Sequence, residues 1–212
     1  MILLLCEIPY GECNMNNFIN KYHFQELANQ DPRDVCRRAI CSFDNEKQFF
    51  TLTVWGDEYR IFPTCNKIEC TTDVICQPHN YFYLFMIHYL LNSKTIDTVH
   101  EWISEKDIAG GATFFRGPHE IPTKKISDRF RNRVKDFDKV CEQLNGIPIR
   151  MADTAFVFKI TPRIPVAVLY WCGDSDFPAE SKILFDRTIT DHLATNIVYA
   201  LTVGICHRLV SE

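Results

Sequence analysis

The chain has no excess of positive charge, no apolar run long enough for a bilayer, no Cys-x-x-Cys pair and no phosphate-cradling glycine loop. Each absence closes off a class. Lys+Arg 23 against Asp+Glu 27 leaves a net charge of -4, so the basic footprint of a nucleic-acid-binding protein is missing and no nucleic-acid partner is expected. The longest apolar stretch, residues 81–91, contains His88 and falls well short of the roughly 20 residues that span a membrane, so no membrane association is expected. Met1-Ile-Leu-Leu-Leu-Cys6 is apolar, yet it carries no basic n-region and ends too early for an export signal. The expectation is a cytoplasmic protein with reduced thiols. A Walker loop, a dinucleotide fingerprint and a serine nucleophile elbow are also missing, which weighs against the standard enzyme classes without deciding whether a reaction is catalysed.

What is present belongs to a folded chain. Hydrophobic residues make up 46% and charged residues 24% of the 212, enough for a sizeable core. Phe 16, Tyr 8 and Trp 3 predict a core rich in rings. Ten cysteines are an unusual number, and for most of them the plain reading is a small buried hydrophobe. No repeat, low-complexity tract or linker interrupts the sequence, so one α+β domain is expected over residues 1–212, its first 47 residues forming a helical segment.

The periodicity predicts about five helices packed on an antiparallel sheet built from hairpins, rather than a doubly wound sheet. Helices are expected over residues 15–28, over 31–41 with Asp31-Pro32 as cap and first position, over the buried apolar stretch 79–92, over 122–146, and over 195–209. Strands are expected over 48–55 and 58–62, joined by a type II′ turn at Gly56-Asp57, and over 154–161, 165–171 and 182–185. Residues 65–77 read as irregular.

Four segments carry candidate chemistry. Cys65-x4-Cys70-x5-Cys76-x2-His79 sets four soft or borderline ligands in irregular chain, as a zinc or iron–sulfur site requires, although the spacing matches no standard knuckle and nothing in the sequence demands a cofactor. Gly110 and Gly111 allow close backbone approach, and Arg116 and His119 follow with a cation and a titratable ring ahead of a helix N-terminus, a combination suited to an anion. The stretch 169–186 places Asp174, Asp176, Glu180 and Asp186 around a hairpin, where they would bind a cation or serve as an acid/base pair, or simply shape the turn. The basic residues between Lys124 and Lys139 would dock an acidic partner or form the solvated face of an amphipathic helix.

Asp153-Thr-Ala-Phe-Val-Phe158, Pro162-Arg-Ile-Pro-Val-Ala-Val-Leu-Tyr-Trp-Cys-Gly-Asp-Ser-Asp-Phe-Pro-Ala179 and Ile183-Leu-Phe-Asp186 together resemble the domain-of-unknown-function family numbered 3786. Leu90-Leu91, Trp102 and the Gly110-Gly111 loop fit the family's order; the resemblance covers roughly Phe49 to Leu209 of the region 48–212, and the Gly-Asp-x-x-Phe-Pro-Ala run from Gly173 with its Leu-Phe-Asp sequel is its most specific part. It implies a setting in strict anaerobes, where some members are fused to an iron–sulfur domain similar to that of corrinoid proteins, and it implies no assigned reaction. Where the family often shows an acidic pair after a leucine near the last helix, this chain has Ala194-Thr-Asn196 after Leu193.

Together these readings favour a binding or accessory module for an anionic cofactor or a metalloprotein partner, with Gly110, Gly111, Arg116, His119, Asp174, Asp176 and Asp186 lining or bracing the site. The alternatives are a structural or dimerisation module, and an enzyme using His119 with Asp176 or Glu180 as its acid/base pair.

Overall fold

A computed structural model describes residues 19–72 and 78–212. It has the expected α+β class, with two sheets in which every strand pair is antiparallel. The first sheet runs β1 (Ser42–Asp44), β2 (Phe49–Val54), β3 (Asp57–Phe62), β4 (Lys67–Cys70) in spatial order β1-β2-β3-β4. The second contains β5 (Trp102–Ile103), β6 (Ile147–Pro148), β7 (Thr154–Thr161), β8 (Ile164–Trp171) and β9 (Glu180–Asp186) in the order β5-β9-β8-β7-β6. The helices among the described residues are α1 (Lys21–Ala28), α2 (Pro32–Ala39), α3 (Asn80–Asn92), α4 (Gly111–Phe114), α5 (Lys124–Phe130), α6 (Val134–Gln143), α7 (Ile189–His192) and α8 (Thr195–Ser211). They outnumber the five expected because α4 and α7 are single turns and the stretch 122–146 is split.

Local chemistry explains the boundaries. Asp31 Oδ1 accepts the Arg33 N–H at 3.0 Å with Pro32 in the first turn, so α2 starts where the cap signal put it. Helix α1 is capped by Asn20, and the part of the expected 15–28 helix before residue 19 lies outside the described residues. The 122–146 helix breaks at Arg131, which has φ 50°. The buried Tyr170 hydroxyl needs an acceptor and finds the Arg131 carbonyl at 2.6 Å, while Asn132 Oδ1 accepts the Gly173 N–H at 3.0 Å. Inside the stretch read as irregular, β4 forms because it pairs with β3 over Tyr59–Cys70 to Phe62–Lys67.

The β2–β3 hairpin turns one residue earlier than expected. Val54 pairs with Asp57, and the turn residues are Trp55 (φ 50°) and Gly56 (φ 86°), both left-handed, which makes the turn type I′ rather than II′. Trp55 tolerates this backbone because its side chain is buried against the second sheet. The indole N–H donates to the Leu144 carbonyl at 3.0 Å, the Trp55 backbone N–H donates to Ile160 O at 2.7 Å, and the ring lies 5.0 Å from Phe158. Arg208 of α8 closes the arrangement, its guanidinium 5.2 Å from the indole and 2.6 Å from Asp57 Oδ2.

Helices α3 and α8 are apolar nearly all round and lie against each other inside one core that draws on both sheets. Gly204 makes the approach close: a Cβ there would fall 2.4 Å from the Phe82 ring.

The far end of α2 is held from outside. Its C-cap, Ile40, is β-branched and sits at φ 52°. The Ala39 carbonyl accepts the Tyr89 hydroxyl at 2.9 Å, and the Arg38 carbonyl accepts Nε–H of the buried Arg163 at 2.6 Å. A left-handed β-branched residue costs about 1–2 kcal/mol, and Ile40 is 51% exposed, so little burial offsets it. Ile40→Gly should therefore stabilise the protein by about 1 kcal/mol, read as a higher urea midpoint at unchanged slope; an equal or lower midpoint would show that the side chain is not strained.

Candidate functional site

The site assembles where the N-terminus of α3 meets the outer stripe of α8. Tyr199, Val203 and His207 are the half-buried positions along this stripe, spaced by four, in a helix otherwise largely covered. His79 precedes α3 and caps it, Nδ1 accepting the Tyr81 N–H at 3.2 Å, which leaves Nε2 as the protonated nitrogen of the neutral ring. From there a row of rings runs across the surface. His207 lies 5.4 Å from His79, His79 5.2 Å from Tyr81, and Tyr81 6.0 Å from Tyr199. Tyr199 meets His119 edge-on at 5.4 Å, and His119 stacks on Phe114 at 4.7 Å. The Tyr199 hydroxyl donates to the Pro118 carbonyl at 3.1 Å, which ties the segment 116–119 to α8.

The charge on this row is one-sided. Burial, then the neighbouring His207 and Lys125, push the His79 imidazole below the usual histidine range. Lys124 pairs with Asp128 at 2.6 Å, whereas Lys125 makes no ion pair among the described residues. Among the described residues no carboxylate pairs with these two imidazoles or with the lysine beside the ridge of aromatic rings, an arrangement that favours an anionic ligand with a flat or apolar body.

Two residues that the sequence assigned to different sites, His79 and His119, are therefore on one ridge. The other proposed ligands lie elsewhere or serve the fold. Gly110 takes φ 74°, and a Cβ on Gly111 would fall 1.9 Å from the Glu105 carbonyl oxygen, so packing alone requires this pair. Arg116 is exposed, and its carbonyl accepts the His119 N–H at 3.2 Å. Asp174 Oδ1 accepts the N–H groups of Asp176 and Phe177, both at 2.8 Å, and these bonds hold its carboxyl below the usual range. Asp176 is exposed in the same turn. Among the described residues no hydrogen bond, ion pair or ring contact joins Arg116 or His119 to Asp174, Asp176 or Glu180. Cys65 is exposed and Cys70 is in contact with Thr72 Oγ1 at 3.2 Å. Cys76 lies outside the described residues, and among those described no three His, Cys, Asp or Glu side chains come close enough to hold a metal ion.

Sequence reasoning did not single out Tyr81, Tyr199 and His207. The signal was the i, i+4, i+8 spacing of Tyr199, Val203 and His207 within a helix read as covered on most sides.

Asp186 is a structural anchor. It is 2% exposed and accepts the Val99 and His100 N–H groups at 3.3 and 2.7 Å and the Thr188 N–H and hydroxyl at 3.1 and 2.8 Å. Desolvation raises its pKa, and the hydrogen bonds outweigh it, so the net shift is downward. A carboxylate depressed in the folded state stabilises above the unfolded pKa and loses that contribution as pH falls through the folded one. Asp186→Asn, which swaps an acceptor for a donor, should cost about 2–3 kcal/mol near neutrality. The deficit against wild type should shrink below the carboxylate range; a loss under ~0.5 kcal/mol in urea unfolding at pH 7 would remove Asp186 from the frame of the fold.

No curated protein and no solved structure matches the chain significantly. One family model, described as a domain of unknown function (DUF3786), matches residues 31–208 and so takes in both sheets and every element of the ridge. The protein belongs to the DUF3786 family.

Proposed function

We propose that the protein is a cytoplasmic binding or accessory module, a single α+β domain whose ligand is an anionic cofactor held along the His79–His207–His119 ridge. The observation that carries this reading is the grouping of His79, His207 and Lys125 beside the rings of Tyr81 and Tyr199, with no carboxylate paired to them among the described residues. Lys125 would supply the fixed charge, the imidazoles would donate from ring nitrogens, and the tyrosines would cover the ligand's apolar face. Arg116 stands close enough in sequence to extend the cationic edge. The family's resemblance to proteins of anaerobes, some joined to iron–sulfur domains of corrinoid type, supports a cofactor of anaerobic, corrinoid-linked metabolism.

A second reading, a module that pairs with an acidic or metalloprotein partner or with itself, has its own observation. The outer face of the second sheet carries Trp102, Ile149, Met151, Val157 and Trp171, half-buried around Ala155, Ala167, Leu169 and Leu184. It uses neither the histidines nor Lys125, so the two readings separate cleanly by mutation.

Inorganic pyrophosphate is a suitable first probe, followed through the histidine ring signals in NMR. Because the fold holds His79 below the usual range near 6.5, an anion that touches it draws the proton back, and binding should strengthen as pH falls below neutrality. Lys125→Ala should weaken binding about tenfold and leave the urea midpoint within error. Absence of saturable shifts at the His79, His119 and His207 rings with millimolar pyrophosphate at pH 6 would contradict the proposal.

A further inference from the structure

We propose that Cys36 and Cys41 form a dithiol site that small disulfides convert to an intramolecular disulfide. The two residues close α2. The Ile40 and Cys41 backbone N–H groups both return to the Cys36 carbonyl, the latter at 3.2 Å, and Ile40 between them is left-handed. The Cys41 bond is the 6→1 bond of a Schellman stop and the Ile40 bond the 5→1 bond of the αL stop, and in the Schellman geometry the third residue from the helix end touches the second residue beyond it. Here those positions hold thiols. The Cys41 Sγ–H donates to Cys36 Sγ at 3.9 Å, and among the described residues no other pair of cysteine sulfurs is in contact.

Two further observations mark the turn as more than a helix end. Glycine is the usual residue at the left-handed position, and a β-branched isoleucine persists there only because its surroundings fix it. Those surroundings are the Tyr89 hydroxyl on the Ala39 carbonyl and Arg163 on the Arg38 carbonyl, which clamp the backbone between the two cysteines. Both residues are half-buried rather than enclosed in the core, which leaves them open to a small disulfide and hinders a bulky one.

Closure follows ordinary exchange. The Cys36 thiolate attacks one sulfur of a low-molecular-weight disulfide, whose S–S bond breaks and releases one thiol after protonation. The Cys41 thiol then gives up its proton and its sulfur displaces the second thiol from Cys36. The protein loses two hydrogens and two electrons, and the small disulfide is reduced to two thiols. Cys36 is the first nucleophile because it receives the hydrogen bond from Cys41. Burial raises both thiols, so the reaction quickens with pH beyond the point where exposed thiols level off.

Oxidised glutathione acting on the reduced full chain provides the test. Trypsin cuts after Arg33, Arg37, Arg38 and Lys47, so the disulfide would join peptide 34–37 to peptide 39–47. The expected result is this linked pair, two hydrogens lighter than the sum of the reduced peptides. Cys41→Ser should accumulate glutathione on peptide 34–37 at a position where wild type keeps none. If wild type retains glutathione or free thiol on both peptides, with no linked pair, once the exposed Cys65 is fully modified, the proposal is overturned. The wild-type map needs no variant to fold.

Discussion

The indole of Trp55 is the joint between the two sheets. It sits at the tip of the β2–β3 hairpin, donates to the Leu144 carbonyl beyond α6, and packs on Phe158 of β7, while its own backbone N–H reaches Ile160. Arg208 covers the ring and grips Asp57 beside it, which fixes the last turns of α8 on the hairpin. Because His207 is the residue before Arg208, the hydrogen bond that seats the turn also sets the position of one end of the candidate site. Sequence, turn geometry, packing and site are linked through one side chain.

A second set of buried polar contacts organises the opposite end. Arg163, at the β7–β8 turn, donates to the Arg38 and Ile96 carbonyls and to Asp97, and so bridges α2 and the connection before β5. Asp186 gathers the backbone at Val99, His100 and Thr188. A buried arginine and a buried carboxylate would each be costly unpaired; each is met mostly by backbone groups, with the Asp97 carboxylate added for Arg163 and the Thr188 hydroxyl for Asp186, rather than by one another. The Cys36–Cys41 pair lies on the arginine's side of this frame and shares no residue with the ridge of rings.

Much of the architecture was legible locally. Asp31-Pro32 announces a helix start, residues 154–161 and 165–171 carry strand composition, and the apolar runs of α3 and α8 announce buried helices. What the sequence hid was decided at long range. The hairpin shifts by one residue because burying Trp55 outweighs the left-handed backbone it needs, and turn statistics do not contain that term. The helix expected over 122–146 breaks for the sake of the Tyr170 hydroxyl, some forty residues further along the chain. The candidate site was half visible for the same reason: His79 and His119 were marked as chemically capable, but only the packing of α3 on α8 brings them to one ridge. Asp186 looked like a ligand because its type and its hairpin context suit one, and its saturation by backbone donors is invisible without the loop it holds.

The joint at Trp55 is tested most directly by Trp55→Phe, with native-state hydrogen exchange read strand by strand alongside urea unfolding followed by circular dichroism. Losing the indole N–H leaves a buried carbonyl unpaired and a gap beside Phe158, so the loss of stability should be about 2–4 kcal/mol. Protection should fall in β7 and β8 as well as in β2 and β3. A loss under ~0.5 kcal/mol, or one confined to the β2–β3 hairpin with the second sheet unchanged, would show that the two sheets do not depend on this contact.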